Sequence, residues 1–132
     1  MNETKVALNA GVFIVTLALV LYVVVHAESA TGHNEYANHC VACHGSDGKG
    51  NGPKANQLSA TPADLTLLSK ENGGSFPETA VYNIIDGRRV GDFHGQEMPI
   101  WGQYFDDIEG NEDAIDKRIS NLIEYLKSIQ VN

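Results

Sequence analysis

Cys40-Val41-Ala42-Cys43-His44 is the stretch on which the reading of this 132-residue chain turns. Cys40 and Cys43 are its two cysteines, so neither a disulfide framework nor a four-thiolate metal site can be assembled from it. Two thiols three positions apart lie on nearby sides of a helical turn, from which both reach the two vinyl groups of one haem. His44 is then held beneath the iron as a proximal ligand. Two rivals use the same thiols. A thiol-redox site is expected beside a βαβ pattern, which the chain lacks, and a structural zinc needs two further ligands at regular spacing. His33 and His39 do precede the pair, but beside it rather than as a separate ligand pair, so covalent haem attachment is the favoured reading.

A second ligand is offered by Met98, in Gly95-Gln96-Glu97-Met98-Pro99, 54 residues after His44. A methionine in a polar, glycine-bearing loop is poorly explained as core, and its soft thioether suits iron. His94 is the weaker candidate for that position. If neither side chain ligates, an open sixth position would suit a haem enzyme or a gas sensor, and this is the alternative function.

The chain carries a net charge of −8, and residues 28–132 carry the same, because the leader holds one lysine, Lys5, and one acid, Glu3. An acidic surface repels nucleic-acid phosphates and favours redox partners with a basic docking face.

The leader sets residues 1–27 apart from a domain over 28–132. Residues 6–25 form an uncharged, largely apolar run of 20 positions, the length needed to cross a bilayer as a helix. Two fates fit it. A retained transmembrane anchor suits its length, whereas Val25-His26-Ala27 resembles the cleavage site of a signal peptide. Lys5 and the amino terminus put the short N-terminal end in the cytoplasm, and the domain on the periplasmic, extracytoplasmic side. A cleaved leader would leave the domain soluble there.

Along the domain, residues 28–32 read as a linker and 34–43 as a helix with Tyr36 and Cys40 on one face. Residues 45–53 hold four glycines and a proline and read as a loop. Thr61-Pro62-Ala63-Asp64 predicts a helix start ahead of Leu65, Leu67 and Leu68. Ser75-Phe76-Pro77-Glu78 predicts another, ahead of Val81, Ile84 and Ile85, with Gly87 as its stop. Residues 88–101 read as loop. From about Asn111, the spacing of Ile115, Ile119, Leu122, Ile123, Leu126 and Ile129 predicts a terminal amphipathic helix. No period-two alternation or repeat appears, so the domain is expected to be all-α.

With these motifs in place, residues 32–128 resemble the class I monohaem cytochromes c. In that family a glycine and an aromatic residue four apart precede the haem cysteines and cross a C-terminal helix. Gly32 and Tyr36 occupy those places, and Leu122-Ile123-Glu124-Tyr125-Leu126-Lys127 looks like the matching helix. The resemblance further implies that the carbonyl of Pro53 accepts a hydrogen bond from the His44 ring, and that Met98-Pro99 is the distal ligand with its proline. Arg88, Arg89 and Trp101 are candidates to meet haem propionates. The implied fold has about four to five short helices around one covalently bound haem c, behind the N-terminal transmembrane or signal helix. The implied activity is one-electron transfer rather than catalysis, as a tethered shuttle or as a haem subunit of a respiratory or photosynthetic complex. The glycine-rich stretch 45–60 and the tract 91–102 depart from the short mitochondrial-type pattern.

Overall fold

The computed structural model describes residues 3–89 and 97–131, and within the first helix it describes side-chain surroundings for 14–23 and 30–39. Among the described residues all regular structure is helical. The elements are α1 (Glu3–His39), α2 (Val41–His44), a 3₁₀ turn (Ala55–Gln57), α3 (Leu68–Glu71), α4 (Glu78–Asp86), α5 (Trp101–Glu109) and α6 (Glu112–Ser128).

α1 is longer than the sequence suggests. It runs unbroken through the expected linker at 28–32 to His39. No proline interrupts residues 28–32, and Gly32 sits within the helix against α6 rather than stopping it. The expected membrane span at 6–25 lies partly outside the described side chains. Among the described residues no helix is long and apolar enough to cross a membrane. Within 14–23, Ile14, Val15, Leu17, Leu19, Val20, Leu21, Tyr22 and Val23 each leave more than half of their surface uncovered.

The C-terminal half of α1 crosses α6, and α4 and α5 pack against α6 as well. Gly32 makes that crossing close: a Cβ there would overlap the backbone carbonyl of Asn121 and press on the Tyr125 side chain. One turn on, Tyr36 is buried, packs at a tilt on Tyr125 with ring centroids 5.1 Å apart, and donates its hydroxyl to the Gly45 carbonyl at 2.7 Å. The expected apolar face of α6 is the core, since Ile115, Ile119, Leu122, Ile123 and Leu126 are all buried, with Val81, Ile85 and Phe105 completing it. Asn111 caps α6 by accepting from the backbone N–H groups of Asp113 and Ala114.

Three local expectations are corrected. The helix expected over 34–43 breaks at Cys40, so the haem motif sits on its own short turn, α2. The helix start expected at 61–64 does not form, because the Asp64 carboxylate accepts from the N–H and hydroxyl of Thr66 in a local turn. Leu65 instead donates to the Gly48 carbonyl at 2.7 Å, laying this segment across the glycine loop. At α4 the cap position is Pro77, without a side-chain cap from Ser75, while Gly87 closes the helix in the left-handed conformation as expected. The loop expected over 88–101 lies partly outside the described residues, and α5 follows it.

Candidate functional site

Helix α1 ends beside the core and α2 turns away from it, which brings the cysteine pair to the wall of a cavity of about 300 Å³. Cys40, Cys43, His44 and Met98 all line this one cavity. Its remaining wall is mostly aliphatic, with Leu65, Leu68, Val81, Ile85, Leu122 and Leu126 among the contributors. The volume lies at the lower end of the range for small-molecule and cofactor sites.

Each functional side chain has a local cause for its position. Gly45 ends α2 at a φ of 80°, a conformation that favours glycine, and the chain then folds back onto the attachment turn. Gly50 donates to the His44 carbonyl at 2.8 Å, and Gly52 to that of Cys43 at 3.0 Å. The glycine loop thereby satisfies the last carbonyls of the attachment turn. Cys40 and Cys43 are half-buried and not bonded to each other. Burial, followed by the nearby Glu35 carboxylate and Cys43, pushes the Cys40 thiol up to about 12.

The His44 ring is held through Nδ1, 3.1 Å from the carbonyl oxygen of Ala63. Burial lowers its proton affinity, with the Ala63 bond acting in the opposite sense. A neutral imidazole anchored at one nitrogen is the form in which histidine binds a metal with the other. The expected acceptor was Pro53, and this is corrected. Gly52 and Lys54, on either side of Pro53, bond back to the carbonyls of Cys43 and Ala42, and Pro53 itself is exposed. Ala63 reaches the ring because its segment crosses the glycine loop at Gly50.

Met98 is half-buried and enters the cavity wall together with Glu97 and Pro99. The Glu97 carboxylate accepts from Ser59, at 2.7 and 2.9 Å from its backbone N–H and at 2.9 Å from its hydroxyl. This link was not anticipated. Its two ends are 38 residues apart, and neither stands out as a motif; the one local signal was that Glu97 adjoins the candidate ligand. The His94 alternative lies outside the described residues.

The other candidates divide. Trp101 lines the cavity and packs on His39 at 5.1 Å. Arg88 is committed elsewhere, with its guanidinium on Asp86 at 2.7 Å and on Glu112 at 2.8 and 3.0 Å. His33 packs edge-on against Tyr125, and His39 lies 3.4 Å from Glu35. Among the described residues no group of three His, Cys, Asp or Glu side chains is placed to hold a metal ion.

A haem fits these residues: two free thiols on one turn, an anchored neutral imidazole and a thioether meet around an apolar cavity. An all-helical domain with that donor set is a c-type cytochrome. The chain belongs to the family described as cytochrome c oxidase, cbb3-type, subunit III, whose model matches residues 27–126. Membership is consistent with the class I monohaem pattern. Comparison with curated proteins and with solved structures returned no match.

Proposed function

We propose that this chain carries one electron at a time on a single haem c, as a membrane-tethered shuttle or as the haem subunit of a respiratory electron-transport complex. The observation that carries this reading is the convergence of Cys40, Cys43, His44 and Met98 on one apolar cavity. Haem c, when bound, supplies the one-electron iron couple. Cys40 and Cys43 would hold it through thioether bonds, with His44, anchored by Ala63, and Met98 as the two protein ligands to its iron. Two protein ligands would leave no place on the iron for oxygen or a substrate and would keep reorganisation during electron transfer small. The wall around these donors is mostly aliphatic.

Residues 1–27 are proposed as a membrane anchor with the haem domain on the periplasmic side, and the leader could be cleaved only at the cost of that tether. Supporting the anchor, the large apolar residues between Ile14 and Val23 each leave more than half of their surface exposed in the described chain. The net charge of −8 supports redox partners with a basic docking face. The family name supports an oxidase context.

The test is an equilibrium redox titration of the purified protein, with carbon monoxide added to the reduced form. The proposal expects a single reversible one-electron wave and no prompt carbon monoxide binding at neutral pH. Several waves, or immediate binding, would contradict it. Co-purification from detergent-solubilised membranes separates the two modes: a stable partner assembly marks a subunit, and release as a lone protein marks a shuttle.

A further inference from the structure

Residues 58–63 reach both sides of the cavity. At one end Ser59 makes three hydrogen bonds to the Glu97 carboxylate, next to Met98. At the other, the Ala63 carbonyl holds the His44 ring. Ala60, Thr61 and Pro62 between them, and Leu58 just before Ser59, form part of the cavity wall. On the far side of Met98, Pro99 restricts the backbone and Ile100 occupies the cap position of α5. Met98 therefore stands one residue from an anchor on its N-terminal side and two from an anchor on its C-terminal side.

The geometry points to Glu97 as a positioning residue: through Ser59 it straps the Met98 segment to the same stretch of chain that orients His44, and so holds the thioether on the iron. This rests on the proposal that Met98 is the distal ligand. A carboxylate accepting from a backbone N–H and a hydroxyl forms charge-assisted bonds, about twice as strong as neutral ones. Without them the tie that precedes Met98 is lost, and states with Met98 off the iron become more populated. An external ligand gains apparent affinity in proportion to that population. The strap also makes the two axial ligands parts of one unit, so loosening Ser59 is felt at Met98 although the two are 39 positions apart in sequence.

The experiment uses the full-length oxidised holoprotein, with imidazole as the external ligand and the thioether-to-iron charge-transfer band as a second readout. Glu97→Ala is expected to bind imidazole about tenfold more tightly than wild type and to show a weakened band, the size expected for losing a charge-assisted pair near the surface. Glu97→Gln, which keeps the shape and one acceptor, is expected to fall between the two and serves if Glu97→Ala does not fold. Adding Ser59→Ala to Glu97→Ala should change nothing further, because the partner is already gone. Met98→Ala is the control. If it raises imidazole affinity while Glu97→Ala and Glu97→Gln leave affinity and band at wild-type values, the strap is overturned and the ligand stands. If wild type lacks the band and Met98→Ala leaves affinity unchanged, the ligand assignment fails and the strap with it.

Discussion

Gly32 of α1 lies against the backbone carbonyl of Asn121 in α6 so closely that no side chain fits between them. The contact sets how near the two longest helices of the domain approach, and so where Cys40 and Cys43 emerge relative to Leu122 and Leu126 across the cavity.

Replacing Gly32 by Ala therefore sets two effects against each other. In an open helix the change would add up to about 1 kcal/mol of helix propensity. Here the new methyl meets backbone rather than a flexible side chain, and such overpacking typically costs about 1–3 kcal/mol. Gly32→Ala is expected to be destabilised in denaturant unfolding of the holoprotein, and Gly32→Val more so. A stabilised Gly32→Ala would mean that the helices do not cross at this point.

Tyr36 ties the same crossing to the attachment loop. Its hydroxyl is the buried donor to the Gly45 carbonyl, so Tyr36→Phe leaves that carbonyl without its partner. A loss of about 1–3 kcal/mol is expected in urea unfolding, with the shape of the core retained. An unchanged midpoint would show that water replaces the bond.

The legibility of these features in the sequence follows their range. The haem motif is local and readable, though the break at Cys40 that sets it on its own turn is not. The α6 face is readable too, because its apolar spacing, from Ile115 to Leu126, repeats over about three turns. α5 was missed although Trp101, Tyr104, Phe105 and Ile108 recur at three and four, because Gly102 and the acidic run after Phe105 dilute the stripe. At 61–64 a capping pattern was present, but Asp64 turned its carboxylate to Thr66 and the segment was needed to cover the glycine loop. Ser59–Glu97 and His44–Ala63 join residues far apart in sequence, and no local pattern reports such pairs. The Pro53 expectation failed for the same reason, since the acceptor is chosen by how two loops cross.

Acid stability offers a check on the Asp64 turn. Hydrogen bonds from the Thr66 hydroxyl and then its N–H hold the Asp64 carboxyl below its ordinary value. The folded state therefore takes up this proton less readily than the unfolded chain. The stability it adds is present above the unfolded value of about 4 and is lost as pH falls through the lower folded value. Unfolding midpoints of wild type and Asp64→Asn should differ near neutral pH and converge in acid. A constant difference at all pH values would contradict this assignment.

Met98→Ala bears on the distal ligand directly. Loss of the thioether should lower the reduction potential and open the iron to carbon monoxide, because Met/His ligation raises the potential. Potential and spectrum both unchanged would reject Met98 as the ligand.

Intact-mass spectrometry of the denatured protein tests the central claim, that Cys40 and Cys43 tie one iron porphyrin to the chain. The predicted result is a single species heavier than the polypeptide by one haem, with no thiol open to alkylation. A polypeptide at its bare mass, with both thiols free to react, would contradict the account.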